Sequence, residues 1–318
     1  MAALHHGHRT DSVGGPGAPQ WPVGVRPVRQ APCCPCIRPS SPAPSRTTSI
    51  GRKGIPAYHR RSAVGGVGLH PILIGLTTAN VAFFATSLYL HRSLAHRSVD
   101  FSSSLAFGFR LAIWLLTGIN RRQWVAVHRR HHAVADTDGD PHGPAQFGYW
   151  TIQFLSILPY RRASRDQSVY PRLTRGVDAD HLDSLFDHGW LGVTTMLAVG
   201  AIMTTPRDLL VVALTHVFSY FTLQGLVNAL CHTSLRRTAS PPWVEISFAP
   251  TNRRLVALFT LGEGLHANHH YLQASARLSV RRGEVDLGWA AIVALEHLGL
   301  AQVRRPRPSA CQASHVSG

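Results

Sequence analysis

Nine of the 20 histidines in this 318-residue chain fall into a pattern. Eight lie in three short clusters: His91 and His96 in His-Arg-Ser-Leu-Ala-His, His128, His131 and His132 in His-Arg-Arg-His-His, and His266, His269 and His270 in His-Ala-Asn-His-His. The ninth, His232, closes Asn-Ala-Leu-Cys-His, so that Asn228 lies one helical turn before it. Neutral imidazole is the commonest protein metal ligand, and eight or nine of them exceed what one tetrahedral zinc takes. The pattern points to a site for two metals held almost wholly by nitrogen. Imidazole suits zinc, copper, iron and nickel alike, but a polynuclear nitrogen site beside apolar segments points to redox work on an apolar substrate, which favours iron. A single His-x-x-His-His arises by chance; two copies and a His-x-x-x-x-His at the end of an apolar run argue strongly for a metal site. The other 11 histidines, His5, His6, His8 and His315 among them, read as solvated.

On a helix, positions i, i+3 and i+4 share one face, so each His-x-x-His-His is expected to aim three imidazoles at a common volume. His91 and His96 are five apart, and a straight helix splays them by well over a right angle. They converge only if the helix ends between them, or they serve different metals. Glu263 and His266 match Glu-x-x-His, but ferritin-like carboxylate sites need two such motifs with further glutamates, and no second copy exists, which excludes that class.

The elements that must position these residues are apolar and long. Leu69 to Leu90 carries no charge over 22 residues, enough to span a bilayer. Ser104 to Gly118 is shorter and interrupted by Arg110. Trp190 to Thr205 and Leu209 to Leu230 read as a helical hairpin around Thr205-Pro206-Arg207-Asp208. For all the clusters to meet on one side of a membrane, Ser104 to Gly118 cannot cross; it should lie in the interface or dip in and return. The side that holds the clusters also carries Arg121, Arg122, Arg129, Arg130, Arg161 and Arg162, which makes it cytoplasmic. Asp286 to Leu300 has the pattern of a surface helix.

Composition agrees with a membrane protein: 45% apolar, only 15% charged, net charge +16, with Lys53 as the sole lysine. That charge suits anionic membrane surfaces or ligands, and no nucleic-acid motif accompanies it, so no nucleic-acid partner is expected. Cys33, Cys34 and Cys36 have no second pair to complete a zinc clamp, and Cys231 and Cys311 are isolated. Residues 1–62 hold ten of the 21 prolines, nine basic residues and one acid, Asp11, and read as a disordered tail. The expected organisation is this tail, a membrane domain over 63–303 and a disordered C-terminal tail over 304–318.

Three stretches resemble the membrane fatty acid desaturases: His91-Arg92-x-x-x-His96; Trp124 to His132 with the trailer Asp136-Thr-Asp-Gly-Asp140-Pro-His142; and Gly262 to His270. The resemblance runs from about Leu69 to about Val303 and is nearest to acyl-CoA or acyl-lipid desaturases of the stearoyl, delta-9 type. It implies an all-α integral membrane protein with a cytoplasmic di-iron histidine cap, in a bacterial cytoplasmic membrane. It implies two irons, with O2 as co-substrate, forming a cis double bond in an acyl-CoA or acyl lipid. On this resemblance His91, His96, His128, His131, His132, His232, His266, His269 and His270 bind the irons, and Asn228 contacts one through water. Asp136 and Asp140 become acceptors that orient imidazole N–H groups, against the alternative of a helix-ending polar turn. Arg110, Arg121 and Arg122 are either headgroup contacts or interfacial anchors. Leu265, Ala267 and Arg282-Gly283 depart from the usual pattern, and none is a ligand. No haem-binding motif is present, so an external ferredoxin, cytochrome or flavoprotein must supply electrons. A hydroxylase on the same site is the first alternative, and a non-catalytic metal carrier the second. A carrier predicts ionisable groups within several spans, whereas here the histidines gather at their ends.

Overall fold

The protein is described here by a computed structural model covering residues 69–166, 170–237, 240 and 244–304. Residues 1–62 and 305–318, where tails are expected, lie outside the described residues. Helix α1 (Leu69–Ala85) runs without a break into a π-helical segment (Thr86–Ala95). A short strand β1 (Val99–Phe101) leads to α2 (Ser103–Thr117) and α3 (Arg121–Val134). Five short helices follow: α4 (Pro144–Phe147), α5 (Tyr149–Leu155), α6 (Ile157–Ser164), α7 (Tyr170–Leu173) and α8 (Asp183–Phe186). A helical hairpin α9 (Gly189–Met203) and α10 (Pro206–Asn228) ends in a 3-10 turn over Leu230–His232. Strands β2 (Thr233–Arg237) and β3 (Val244–Phe248), helices α11 (Arg254–Phe259), α12 (His266–Tyr271) and α13 (Leu287–His297), and strand β4 (Ala301–Val303) complete the order.

Two continuous helices of 27 residues each, Leu69–Ala95 and Pro206–His232, are long and apolar enough to cross a membrane. They pack together along α1 and α10 over a core of Ala79, Ala82, Phe83, Tyr220 and Val227. Their outer surfaces, and that of α9, stay uncovered: Leu69, Leu73, Leu210, Leu214, Phe218 and Ile202 are all more than half exposed. Exposed apolar area on this scale belongs against another apolar phase. The hairpin turn is set by Thr205, whose Oγ1 accepts from the Asp208 amide at 3.2 Å, with Pro206 at the first helical position.

Helices α2 and α3 form a helix–turn–helix beside α1 and the π-helical segment. Helix α2 descends along α1, with Phe109 against Phe84 and Tyr89. Its last turn reaches α10, where the Leu116 carbonyl accepts from His216 Nε2 at 3.0 Å; His216 Nδ1 lies 3.0 Å from Thr78 Oγ1 on α1. An imidazole with both nitrogens partnered thus ties three helices and satisfies an orphan carbonyl. Gly118 (φ 65°) then reverses the chain, and a Cβ on its neighbour Gly189 would stand 1.9 Å from the Gly118 oxygen, so only a glycine fits there. Helix α3 climbs back along the π-helical segment, its Arg129 guanidinium donating to the carbonyls of Leu94 and Ala95.

The helical class holds, but the expected all-α architecture needs a correction. Strands β1 and β4 pair antiparallel, with Val99 opposite Val303, and β2 pairs with β3, with Leu235 opposite Ile246. The first pair, extended by the bond from the Arg304 amide to the Ser98 carbonyl, clasps the end of the described chain to the segment after His96. Runs of three to five residues are too short to show a strand period in the sequence.

Candidate metal centre

The first correction at the site concerns His91 and His96. The helix neither ends between them nor sends them to different groups. It widens into a π-helix, in which each amide bonds to the fifth carbonyl back, and the His96 amide donates to the His91 carbonyl at 3.0 Å. Residues five apart then sit one above the other, and the two rings lie 4.8 Å apart.

The second correction concerns the two His-x-x-His-His clusters. Neither aims all three imidazoles at one volume. His91, His96, His128, His132 and His269 form one group, and His131, His232, His266 and His270 form another, the candidate ligand atoms within each lying within 4.8 Å of one another. In each cluster the i and i+4 pair joins one group and the i+3 residue joins the other. At 100° per residue, i+4 falls 40° to one side of i and i+3 falls 60° to the other, so adjacent histidines diverge by 100°. The assignment is crossed: α3 gives its pair to the first group and its single ring to the second, and α12 does the reverse. Both pairs have the same geometry, with Nε2 atoms 3.1 Å apart for His128–His132 and for His266–His270.

The nitrogens that face inward are Nε2. His91 lies 2.9 Å from His269, His96 2.9 Å from His128, His132 2.9 Å from His269 and His266 2.8 Å from His232, in each case Nε2 to Nε2. Carboxylates fix this orientation from behind. Asp140 accepts from His131 Nδ1 at 2.9 Å and Asp136 from His232 Nδ1 at 2.9 Å, and a Glu263 carboxylate oxygen lies 3.0 Å from His91 Nδ1 without making a hydrogen bond to it. A ring whose Nδ1–H is committed outward presents a bare lone pair at Nε2. His131 Nε2 is buried and has no hydrogen-bond partner. Burial, reinforced by neighbouring imidazoles, holds His128, His131, His266 and His269 well below the ordinary histidine value and brings His270 down to about 3. These five rings are therefore neutral, the form that binds cations. Converging bare nitrogens fit a metal in each group.

The loop after α3 shapes this backing. Asp136 adopts φ 59°, a conformation Asp tolerates better than most residues. Its amide, and that of His142, donate to the Asp140 carboxylate at 2.9 and 3.1 Å, so Asp140 organises the turn and holds His131 at once. Helix α12 has only six residues and is held from outside: Asn268 receives and returns hydrogen bonds with Asn252 and donates to the Leu278 carbonyl.

Three residues at the site carry functions that sequence reasoning did not give them. Glu263 stands behind His91 and also accepts from Ser87 and Arg92. Burial alone would raise its pKa, but His91 and Arg92 bring it down to about 2. Arg92 is only 1% exposed and is saturated by Glu263, Asp286 and the carbonyls of Ala276 and Leu261. Asp286 in turn caps α13 by accepting from the Trp289 amide at 2.8 Å. A charged residue inside a histidine cluster was the available signal for Arg92. His142 is buried, stacks on His131 at 4.5 Å, and leaves Nδ1 without a partner.

Arg110 and Arg121 do not face a ligand. Both pair with Asp180 and Asp183 at the start of α8, and Phe186 lies under the Arg110 guanidinium at 4.4 Å. The segment before α9 supplies acids where the α2 surface offers a base, so the arginines are consumed structurally. Arg122 lies over the Tyr170 ring.

A cavity of about 270 Å³ opens on both histidine groups. His91, His128, His142, His266, Glu263 and Asn228 line one end, and Phe83, Leu116, Val193 and Val217 line the deeper part between the helices. Asn228, the last residue of α10, lines the same cavity. Trp124 stacks flat on His128 at 4.7 Å and closes the wall.

A helical framework thus buries two adjoining polyhistidine groups, both compatible with metal and both reached from one largely apolar cavity. Residues 68–276 match the profile of the fatty acid desaturase family, and the chain belongs to that family of oxidoreductases. An acyl-CoA C20 Delta5-desaturase from Anemone leveillei is 31% identical over 231 residues, 69% of this chain and 68% of that enzyme. A probable chloroplastic lipid desaturase from Arabidopsis thaliana is 32% identical over 226 residues, 68% of this chain and 58% of the relative. Delta-9 acyl-lipid desaturase 1 from the same plant is 28% identical over 249 residues, 74% of this chain and 76% of the relative.

Proposed function

We propose that the chain desaturates a fatty acyl chain, carried on CoA or on a lipid, at a pair of irons held by the nine histidines. The carrying observation is the crossed sharing of His128, His131, His132, His266, His269 and His270 between two groups that open on one apolar cavity. Five imidazoles would hold one iron, and four would hold the other, with Asn228 placed to complete the second through water. Nitrogen-rich ligation suits iron, and that pair would supply the O2-dependent oxidation of an unactivated C–H bond.

The protein's own part is position. An acyl chain has no polar handle along its length, so an apolar cavity must set which carbons lie beside the histidine groups. Phe83, Leu116 and Val217 exclude water from the chain, and Trp124 fixes the plane of His128. Asp140 and Asp136 hold the Nδ1 protons of His131 and His232 outward and keep those two Nε2 lone pairs inward, and Glu263 backs His91. The uncovered faces of α1, α9 and α10 sit in the bilayer, with the histidine cap on the Arg-rich, cytoplasmic side of a bacterial membrane. Electrons arrive from a separate carrier protein.

The test is lipid profiling of a desaturase-deficient host expressing the full chain, with iron quantified on the purified protein. Loss of two hydrogens from an acyl chain, with about two irons per chain, is expected; delta-9 is the position to examine first, because the delta-9 acyl-lipid relative aligns over most of its length. Gain of oxygen without a double bond would replace desaturation by hydroxylation, and iron-free protein would remove the reading.

A further inference from the structure

The cavity is not uniformly apolar. One and two turns before Asn228 on α10, Gln224 and Tyr220 line it, about 6 and 12 Å deeper than the histidine end by helical rise. Their hydrogen bonds run in one direction. Thr86 Oγ1 spends its proton on the Ala82 carbonyl at 2.9 Å, so at its 3.2 Å contact with the Tyr220 hydroxyl it accepts. Tyr220 therefore donates to Thr86 and receives from Gln224 Nε2 at 2.9 Å. The chain is closed at Ala82 and open at Gln224, whose Oε1 accepts from no group among the described residues. Across the same cavity, Tyr160 on α6 presents a hydroxyl that is buried and has no hydrogen-bond partner.

One free acceptor and one free donor thus line a cavity that a plain hydrocarbon would fill without pairing either. Buried polar groups left unpaired cost free energy, and a ligand group that pairs them recovers it. An alcohol both accepts and donates, so it matches the two together; an alkene or an ether oxygen matches at most the donor. The depth places that alcohol on the methyl side of the carbons beside the histidine groups.

Resting on the reading that the cavity takes an acyl chain, we infer that it is built for one bearing a mid-chain hydroxyl, with Tyr160 and Gln224 as the specificity-determining pair. The hydroxyl accepts from the Tyr160 phenol and donates to the Gln224 amide oxygen. Plain saturated chains bind the same cavity less tightly.

The experiment measures binding of octadecanoyl-CoA and of its 12-, 14- and 16-hydroxy derivatives to the purified full-length protein in detergent. At least one hydroxylated probe should bind about tenfold tighter than the plain chain. Tyr160→Phe and Gln224→Met should each erase that advantage, weakening the hydroxylated probe and tightening octadecanoyl-CoA towards it, and retained octadecanoyl-CoA binding also shows that the variants are folded. Equal affinity for all four probes, or a preference that survives both substitutions, overturns the inference and leaves acyl binding standing. Failure of every probe to bind the wild-type protein overturns both the inference and the acyl reading beneath it.

Discussion

His131 and His132 are neighbours in sequence and belong to different histidine groups. The His131 ring sits 4.8 Å from that of His232, whereas His132 Nε2 lies 2.9 Å from His269 Nε2. The 100° between adjacent helical residues is what lets one helix serve two sites. Replacing either with alanine should therefore remove one metal and not both. Elemental analysis of His131→Ala and of His132→Ala should find about half the wild-type iron per chain, with activity abolished in each. His181→Ala, at an exposed position, should retain both. Full iron in either ligand variant would refute the division into two groups.

Asp136 and Asp140 touch no inward-facing nitrogen; each holds an imidazole from behind. Substitution by asparagine keeps the shape and offers an N–H or a neutral oxygen in place of the carboxylate. Losses of this kind weaken metal binding by about 10–100-fold. Chelator competition on Asp136→Asn and Asp140→Asn should show that weakening with the fold intact by circular dichroism. Asp140→Asn should be the worse of the two, because Asp140 also receives the amides of Asp136 and His142. Unchanged chelator resistance in both would leave the carboxylates as turn formers only.

Arg92 offers a test of stability. Its guanidinium is enclosed by two carboxylates and two carbonyls, and a Cβ on Gly288 would stand 2.6 Å from its Nη2. Arg92→Met leaves Glu263 and Asp286 buried without their cation. Breaking a buried pair from one side costs about 3–5 kcal/mol. The thermal midpoint of the purified chain should fall by several degrees, and the double variant Arg92→Met with Asp286→Leu should recover part of the loss. A midpoint equal to wild type in the single variant would contradict the buried network.

The histidine clusters, the helical hairpin and the shorter apolar helix α2 were legible because each rests on a local signal: residue type or apolar length. What the sequence concealed depends on helical phase and on partners far along the chain. Convergence of His91 and His96 needed a π-helix, and nothing local distinguishes Thr86–Ala95 from an α-helix. The split of His131 from His132 follows from angles that a one-face reading averages away. Glu263 lies 171 or more residues from Ser87, Arg92 and His91, so its role behind His91 is set by packing alone. Arg110 looked like an interfacial anchor because the acids that consume it, Asp180 and Asp183, arrive 70 residues later.

That last cluster carries a pH prediction. Burial would raise Asp183 and Asp180, but hydrogen bonds from Arg121 and Arg110 outweigh it and hold both carboxyls below the ordinary aspartate value. A carboxyl lowered in the folded state contributes stability that is complete above its unfolded pKa, about 3.9, and is lost as pH falls through the folded value. Between pH 8 and 5 the cluster should therefore add a constant increment, and below about pH 4 the increment should shrink. Arg110→Met removes the partner on α2. The gap in thermal midpoint between wild type and this variant should be level from pH 8 to 5 and narrow below pH 4. A gap that widens on acidification would reverse the sign and show that the strap from Asp178 to His188 is not held to α2 by these ion pairs.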